Sequence, residues 1–440
     1  MSEGGLFDAV LARGAVAGQV GDGAWLQAML DFEAALARAS ARAGVIAPED
    51  AEAIAGVCRA ERFDAAELGA AAASTGNPAA PLAAALARAV PEPARAHVHR
   101  GATSQDVLDT AAMLVARRAL EPLLADLAGA AAAAALLAVE HRDTPMAGRT
   151  LLQHAVPTTF GLKAAGWLVA LDEARDGLAR VGREVLAVQL GGAAGTLASL
   201  DGRGPEVLAE LARELGLVEP VLPWHTDRTR IAALGGALAT ACGVAAKVAR
   251  ELVLLAQTEV GEAVDDSPER GGSSTMPHKR NPVAAVAAAG CAAQAPGLQA
   301  ILLAAMAHEH ERAAGAWHAE WRPLRDLLLA TGSAAAWLRD ALEHLRVDPE
   351  RMRENLDLTG GLLLAERVAA ALAPALGRER ATELVRAAAA DELPFAEALA
   401  ELPEVAEQLE GRLGELLDPT GYLGSAGELV DRALAQRKSP

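Results

Sequence analysis

The sequence predicts an all-α fold, and its composition is the main reason. Aromatic residues make up only 3% of the chain and β-branched residues are scarce, so the residues that usually form strands are few. Residues 129–135, one glycine and six alanines, place small side chains on every face of a helix and let neighbouring helices approach closely. These observations favour a central bundle of long helices, part of which is shared between subunits.

Three helical domains are predicted, over residues 1–110, 111–355 and 356–440. The first begins with an amphipathic helix at 24–44, where apolar residues recur at helical spacing, and shorter helices follow Pro48 and Asp64. The second holds long stretches of good helix formers, which are 111–140, 162–188, 230–262 and 282–307. The third has the pattern of shorter helices, over 362–376, 379–391, 395–401 and 403–416.

Charge and cysteine content restrict the function classes. The 440-residue chain has a formal net charge of -18, which disfavours non-specific nucleic-acid binding, so any anionic ligand must be held by a local cluster of cations. Cys58, Cys242 and Cys291 are odd in number and lie in apolar helical surroundings, which indicates buried thiols in a reducing cytoplasm. Residues 1–5 lack the pattern of a secretory signal. The apolar stretch 283–307 is dominated by alanine, which favours a buried helix over a membrane span.

Three polar islands interrupt the apolar background, and they lie far apart in sequence, as the parts of a composite site would. The first spans residues 99–106. Its Thr103 and Ser104 can donate hydrogen bonds to an anionic oxygen. One of these hydroxyls could instead cap the helix that follows, and the two roles are compatible.

The second island spans residues 148–159. Thr150, Gln153 and His154 fall within one helical turn there and are expected to share a helix face. A histidine beside neutral donors could act as a general acid or base near neutral pH. A structural role for His154 is the alternative.

The third island is the loop 271–282. Two glycines permit backbone conformations closed to other residues, and Pro282 suits the first turn of a helix. A helix N-terminus beside Lys279 favours a carboxylate or phosphate, with Asn281 as a further ligand and Ser273 as a possible base or nucleophile. The alternative is a solvated polar loop between two helices.

Two other motifs match known sites poorly. Residues 191–196 lack the spacing of a nucleotide-binding loop, although the turn could still offer N–H groups to a ligand. His308 and His310 are two residues apart, so on a helix their rings would point to different faces. No G-x-S-x-G motif surrounds a predicted strand, which removes ordinary acyl hydrolysis. We therefore expect neither a metal nor a cofactor.

In this order the three islands resemble the fumarase and aspartase superfamily over essentially the whole chain. The signature loop of that superfamily is matched by residues 272–282, GSSTMPHKRNP, and residues 99–106 and 148–161 are similar to its first and second regions. Three further stretches resemble the bacterial 3-carboxy-cis,cis-muconate cycloisomerases of this superfamily, and these are 151–167, 223–230 and 316–321.

The resemblance implies a cofactor-free, cytoplasmic homotetramer whose active sites are each built from several subunits. It implies the interconversion of 3-carboxy-cis,cis-muconate and 4-carboxymuconolactone, in which oxygen adds to or leaves the carbon β to a carboxylate while a proton adds to or leaves the α carbon. The α carbanion must be stabilised by donors that are in place before the proton moves. The resemblance assigns the proton transfer to Ser273, with Ser274 as the alternative. The expected substrate contacts are Thr103, Ser104, Thr150, Gln153, Lys279, Asn281, Arg312 and His318.

Leu151 departs from the superfamily pattern. Most lyases that the chain resembles carry a histidine directly after the threonine equivalent to Thr150, as their general acid. Leucine argues against adenylosuccinate and argininosuccinate lyases and fits the cycloisomerase branch. It leaves the acid unassigned, with His154 as the first candidate and His99 as the second. The alternatives are a fumarate-releasing lyase such as adenylosuccinate lyase and a catalytically silent helical scaffold.

Overall fold

A computed structural model describes residues 5–268, 270–272 and 275–437. Helices dominate these ranges and the strands in them are short, so the predicted all-α fold is confirmed. The chain divides into two compact units. The first unit comprises residues 1–127, 173–247 and 287–338, and the second comprises residues 128–172, 248–286 and 339–440. The three-domain division with boundaries near residues 110 and 355 stays a prediction.

The N-terminal helices begin and end at residues that favour those positions. Pro48 opens its helix, where a missing N–H has no consequence. The carboxylate of Asp64 accepts hydrogen bonds from the N–H groups of Ala66 and Glu67. Gly76 ends that helix in a left-handed conformation. The helices of this region are α1 (Asp8–Leu11), α2 (Val16–Gln19), α3 (Asp22–Arg42), α4 (Pro48–Ala55), α5 (Ala65–Thr75) and α6 (Ala79–Ala89).

Long helices make up the middle of the chain, and alanines such as Ala130 and Ala134 are fully buried in them. One predicted helix, over 282–307, is instead two helices that separate at residues 293–294. The reason is Pro296, which has no N–H with which to continue the first helix. The helices of this region are α7 (Ser104–Glu140), α8 (Phe160–Glu184), α9 (Gly204–Leu215), α10 (Thr229–Leu255), α11 (Val283–Ala292), α12 (Ala295–Ala304) and α13 (Ala316–Glu343).

Shorter helices follow in the C-terminal region, as the sequence predicts, although the stretch predicted as one helix over 403–416 is two helices. The helices of this region enclose an apolar cluster in which Val368, Leu372 and Leu399 are fully buried. Burial of this kind is the main source of their stability, because helices of this length are marginal when isolated. The helices are α14 (Pro349–Asp357), α15 (Ala365–Leu376), α16 (Arg378–Ala389), α17 (Phe395–Glu401), α18 (Pro403–Gln408), α19 (Leu413–Leu416) and α20 (Ala426–Gln436).

Two antiparallel strand pairs interrupt the helices, and one of them corrects a prediction. Strands β1 (Pro145–Thr150) and β2 (Gln153–Thr159) form a hairpin in which Thr150 pairs with Gln153. Thr150, Gln153 and His154 therefore lie on strands, and the expected shared helix face is wrong. Pro157 disfavours a helix interior, and the β-branched residues Val156, Thr158 and Thr159 around it favour a strand, a local signal that the composition of the whole chain conceals. The other pair is β3 (Ala263–Asp265) with β4 (Leu345–Val347).

Leu151 and Leu152 form the turn of this hairpin. Both have left-handed backbones, with φ angles of 51° and 64°. Two-residue turns of this kind favour asparagine and glycine, because positive φ strains a residue that carries a larger side chain. The side chains are also exposed, Leu151 by 97% and Leu152 by 73%. The hairpin tip therefore presents two strained apolar residues between Thr150 and Gln153.

All three cysteines are buried and outside disulfides, as their apolar surroundings predict. Burial raises the pKa of the Cys58 thiol to about 12 and the pKa values of Cys242 and Cys291 to about 11. The thiols therefore stay protonated at neutral pH and behave as small apolar groups.

Among the described residues, three helical stretches are long and apolar enough to cross a membrane, judged by length and composition alone. They are residues 104–140, 229–255 and 283–304. In their most apolar windows, 50%, 44% and 33% of the residues are buried within the chain. Burial of half of the first window fits a helix that packs against other helices.

Candidate active site

The sequence-predicted site residues divide between the two units. The first unit contains His99, Thr103, Ser104, Arg312 and His318, and the second contains Thr150, Gln153, His154, Lys279 and Asn281. Ser273 and Ser274 lie outside the described residues.

A buried carboxylate, Asp106, organises the first group. Its two oxygens accept hydrogen bonds from the N–H groups of Gly191 and Gly192, both at 3.0 Å. The N–H of Thr103 donates to it at 2.9 Å, and Nε2 of His225 lies 2.6 Å from it. The glycine N–H groups that could have served a ligand therefore bind a residue of the chain itself.

Thr103 and Ser104 keep their hydroxyls available. Helix α7 begins at Ser104, and the carboxylate of Asp106 reaches back to the N–H of Thr103, as the acidic residue of a capping box does. Neither hydroxyl makes a hydrogen bond with a described residue, so the predicted cap by Thr103 or Ser104 is not formed, and the contact from Asp106 is only the returning half of such a box. Both hydroxyls therefore remain as donors at the N-terminus of a long helix.

Arg312 supplies a positive charge to the same place. Its guanidinium donates to Oε1 of Gln105 at 3.0 Å, to the carbonyl of Gly192 at 3.1 Å and to the carbonyl of Ala193 at 2.9 Å. All three acceptors are neutral, so these contacts fix the guanidinium without neutralising its charge. An anion beside the start of α7 would be attracted by this cation and by the helix N-terminus together.

His99 lies in the loop before α7 and pairs with a carboxylate. Its Nδ1 is 2.6 Å from Oε1 of Glu33, which is 2% exposed on α3. Burial lowers the pKa of His99, but the charge of Glu33, the hydrogen bond to Glu33 and the charge of Asp106 together outweigh it and hold the pKa above its ordinary value. His99 also has a left-handed backbone, with a φ of 59°.

His318 is fixed by a backbone carbonyl. Its Nε2 donates to the carbonyl of Gly76 at 3.0 Å, which leaves Nδ1 as the ring nitrogen without a proton. The imidazole also contacts two indoles, with ring centroids 5.3 Å from Trp317 and 4.7 Å from Trp321. A contact with substrate would therefore be made through Nδ1 as an acceptor, or after protonation as a donor.

A buried ion cluster that has no predicted role joins two of the stretches on which the resemblance rests. Arg228 donates to both oxygens of Glu320, at 3.0 and 2.6 Å, and to both oxygens of Asp109, at 3.0 and 2.8 Å. The indole of Trp317 donates to Asp109 at 3.0 Å. The three charged side chains are 1 to 4% exposed. The sequence signal for this cluster was that Arg228 and Glu320 are charged residues in two segments that also contain tryptophan, 223–230 and 316–321.

In the second unit an ion pair fixes the base of the hairpin. Arg149 on β1 donates to both oxygens of Glu262, at 2.8 and 2.6 Å, and Glu262 is fully buried. The amide of Asn355 donates to the same carboxylate at 2.8 Å. Thr150 and Gln153 lie just beyond this base and are exposed. Their polar groups are therefore presented on a rigid support.

His154 faces a different environment from His99. It lines a cavity of about 370 Å³ together with Arg149, Lys163 and Glu251. Its Nδ1 is buried and has no hydrogen-bond partner among the described residues. Burial and then the charge of Arg149 lower the pKa of His154, so its imidazole is neutral at pH 7.

Gly271 and Asn281 close the base of the signature loop. The N–H of Asn281 donates to the carbonyl of Gly271 at 2.8 Å. Gly271 has a φ of 85°, and a Cβ atom there would lie 2.7 Å from the carbonyl oxygen of Asn281, so only glycine fits. Lys279 is exposed on the returning side of the loop.

Arg270 connects the start of this loop to the rest of the second unit. Its guanidinium donates to Asp265 at 3.0 Å and to both oxygens of Asp340, at 2.7 and 3.0 Å. The two carboxylates are 8% and 12% exposed. Two partly buried charge pairs therefore position the residue that precedes the glycines.

Arg270→Ala is expected to lower kcat/KM about tenfold, because the loop loses its anchor and the groups it carries lose their alignment. Steady-state kinetics with the substrate proposed below measures this. The matched control is Arg346→Ala, since Arg346 on β4 makes only an exposed pair with Asp266, at 3.7 Å. Equal kcat/KM for both variants would show that Arg270 does not position the loop.

The His308 segment also corrects an assumption. Residues 305–315 form a loop, so the argument from helix faces does not apply. Nδ1 of His308 lies 3.3 Å from the carbonyl of His225, and its Nε2 is 3.5 Å from Glu320. Among the residues that the structure describes, no group of three or more histidines, cysteines and carboxylates is arranged to hold a metal ion.

Comparison with known families gives two matches along the chain. Residues 12–297 match the family described as Lyase, and residues 361–433 match the family described as Adenylosuccinate lyase C-terminus. The first match alone covers more than half of the chain. Both matches agree with the superfamily that the three polar islands indicate.

Individual relatives are similar over their full length. The chain is 48% identical to a 3-carboxy-cis,cis-muconate cycloisomerase of Bradyrhizobium diazoefficiens, over 98% of this chain and 97% of the relative. It is also 48% identical to a nitrosuccinate lyase of Streptomyces davaonensis, over 98% of this chain and 94% of the relative. The crystal structure of a 3-carboxy-cis,cis-muconate lactonizing enzyme from Pseudomonas putida matches with a TM-score of 0.92 at 43% identity, over 98% of both chains.

Proposed function

Because this chain belongs to the lyase family of the fumarase and aspartase superfamily, we propose that it is a 3-carboxy-cis,cis-muconate cycloisomerase. One carboxylate of 3-carboxy-cis,cis-muconate adds to a double bond of the same molecule and forms 4-carboxymuconolactone, its isomer. The oxygen bonds to the carbon β to a second carboxylate, and a proton adds to the α carbon. This is a step of the protocatechuate branch of aromatic catabolism.

Leu151 is the observation that favours the cycloisomerase over amine-releasing lyases of the superfamily such as adenylosuccinate lyase. It stands at the exposed tip of the hairpin, at the position where most lyases of the superfamily, adenylosuccinate lyase among them, are expected to carry a histidine as their general acid. An amine leaves poorly unless it is protonated, whereas a carboxylate leaves as a stable anion. Opening of the lactone releases a carboxylate and so needs no strong acid at this position. A leucine there is therefore compatible with the cycloisomerase reaction.

We assign the proton transfer at the α carbon to Ser273, in the signature loop. A serine hydroxyl is too weak a base in water, so it requires a site that excludes water and surrounds the oxygen with donors. Lys279 and Asn281 belong to the same loop and are assigned to a substrate carboxylate. The other proposed contacts are Thr103, Ser104, Thr150, Gln153, Arg312 and His318.

His154 and His99 remain the two candidates for any acid that the reaction uses. His154 is neutral at pH 7 and faces a cavity, while His99 is paired with Glu33. A neutral imidazole can donate a proton only through a nitrogen that carries one, and the tautomer of His154 is not fixed by a partner at Nδ1. The surroundings of His154 therefore favour a neutral imidazole, whereas those of His99 favour a protonated one.

We further propose a cytoplasmic homotetramer with active sites shared between subunits. The long helices expose apolar side chains that a packed monomer would cover. Such a surface suits burial against other copies of the chain. The exposed residues are Leu136 at 71%, Val139 at 58%, Val286 at 53% and Leu303 at 51%.

A spectrophotometric assay tests the proposed activity. The purified protein is expected to remove the diene absorbance of 3-carboxy-cis,cis-muconate, because lactone formation breaks the conjugation. Fumarate release from adenylosuccinate is measured in parallel and is expected to be absent. Loss of the diene signal only at the rate of the enzyme-free control would exclude the cycloisomerase.

A nitrosuccinate lyase is the second candidate, because the chain is equally identical to such an enzyme. β-Elimination from nitrosuccinate releases nitrite and fumarate, and nitrite, like a carboxylate, leaves as a stable anion. Leu151 is compatible with both reactions for that reason. Nitrite formation from nitrosuccinate, without consumption of the muconate, would select this alternative.

A further inference from the structure

Glu33 is a buried carboxylate that no step of the proposed reaction uses. It is 2% exposed on α3, and among the described residues its hydrogen-bond partner is Nδ1 of His99, at 2.6 Å. Its other oxygen is buried without a partner in the described part of the chain. A buried carboxylate is unfavourable unless it is paired, so the position of Glu33 is best explained by what it does to His99.

The backbone of His99 is held in a conformation that the residue does not favour. Its φ of 59° lies in the left-handed region, which histidine adopts less often than glycine or asparagine. Strain of this kind persists where the surroundings impose it and is common at functional sites. The imidazole is thereby placed in the loop that leads to the hydroxyls of Thr103 and Ser104.

Other charges near His99 have the same effect as Glu33 or are already paired. The negative charge of Asp106 on α7 stabilises the protonated ring of His99 in addition to Glu33. Arg100 donates to Asp201 at 2.8 Å, so its charge is compensated. The preceding histidine, His97, lies 3.5 Å from Asp50 on α4. The charge environment therefore favours the imidazolium form of His99.

The second ring nitrogen of His99, Nε2, takes no part in the contact with Glu33. Nδ1 donates to Glu33, the side chain is 22% exposed, and Nε2 makes no hydrogen bond with a described residue. In the imidazolium, Nε2 carries a proton and can donate a charge-assisted hydrogen bond to a carboxylate. In the neutral ring, the lone pair of Nε2 would repel a carboxylate. Only the protonated form suits an anionic ligand.

We propose that His99 binds a carboxylate of the substrate as an imidazolium, and that Glu33 is the positioning residue that fixes the ring and keeps it charged. This rests on the proposed function, because the tricarboxylate supplies the anion. It gives His99 a task other than that of an acid. The charge of the substrate would then be met by His99 and Arg312 in the first unit, within a chain whose net charge is -18.

Glu33→Gln tests the proposal, because glutamine can still accept from Nδ1 but removes the charge. In the wild type, kcat/KM is expected to fall as pH rises and His99 loses its proton. In Glu33→Gln this fall begins at lower pH, and kcat/KM near pH 8 drops about tenfold. His99→Asn raises KM about tenfold with kcat changed less than about threefold, and removes this pH dependence.

Asp50→Asn is the matched control, since it makes the same change beside His97 in the neighbouring loop. It is expected to leave the pH profile of kcat/KM unchanged. A profile for Glu33→Gln that coincides with the wild type overturns the proposal. So does a His99→Asn variant whose kcat collapses while its KM is unchanged, because that result assigns His99 to proton transfer.

Calorimetry with tricarballylate, a non-reacting tricarboxylate, separates this proposal from the proposed function. Its dissociation constant is expected to rise in the wild type as pH increases and His99 loses its proton, and to be insensitive to pH in His99→Asn. This result without any muconate turnover would reject the cycloisomerase and keep His99 as a carboxylate-binding residue. Equal pH dependence of this dissociation constant in the wild type and in His99→Asn would reject the role of His99. That conclusion holds even if the muconate is converted, and it does not require Glu33→Gln to fold.

Discussion

Ser273→Ala is expected to lower kcat by at least about a hundredfold, because it removes the group proposed to move the proton at the α carbon. KM is expected to change little, since Lys279 and Asn281 still bind the carboxylate. The base of the loop is closed by the hydrogen bond from Asn281 to Gly271, which the substitution does not touch. The loss is measured as the rate of disappearance of the muconate diene under saturating substrate.

Ser274→Ala is the control for this substitution, because it removes a neighbouring hydroxyl from the same loop. It is expected to keep kcat within about tenfold of the wild type. A large loss in Ser274→Ala with normal turnover in Ser273→Ala would exchange the roles of the two serines. Normal turnover in both variants would place the base outside the signature loop.

Arg228→Ala is expected to destabilise the protein by about 3–5 kcal/mol, the largest stability effect of any single substitution considered. The two carboxylates of Asp109 and Glu320 would be left buried without the cation that both contact. Burial raises the pKa of Glu320 above its ordinary value while Arg228 lowers it, so removal of the guanidinium would leave the buried carboxylate without its opposing charge. The change is measured by thermal or urea unfolding at fixed protein concentration.

Arg380→Ala is the matched control on the surface, because Arg380 pairs with Glu404 and Glu383 where all three side chains are well exposed. Solvent screens such pairs, so the unfolding midpoint is expected to stay almost unchanged. A small effect of Arg228→Ala, similar to that of Arg380→Ala, would mean that the buried cluster relaxes or admits water when the arginine is removed.

The helices and the three polar islands were predictable because their signals are local. Alanine content and apolar spacing place both ends of α3 within two residues, but α7 begins seven residues before the predicted start and α10 ends seven residues before the predicted end. The glycines and Pro282 mark the loop. The hairpin was missed because the strand signal around Pro157 is short and is opposed by the composition of the whole chain. Leucine is also an unusual choice for a left-handed turn, so no turn motif revealed it.

Pairings between distant residues could not be predicted in the same way. Glu33 and His99 are 66 positions apart, and Arg228 lies 119 positions from Asp109. A sequence pattern shows that such residues are polar within apolar surroundings, but it does not show which of them meet. The contact is decided by how α3, α7 and α10 pack, and that packing depends on many weak apolar contacts.

The hairpin separates the part that supports the fold from the part that is proposed to face the ligand. Its base is tied by Arg149, Glu262 and Asn355, while Leu151 at the tip is 97% exposed and supports nothing beneath it. Exchanging the residue at position 151 therefore has little consequence for folding. If the proposed site is correct, a substitution at position 151 changes the chemistry offered to the leaving group while the fold stays intact, so that a new reaction does not first require a rebuilt protein.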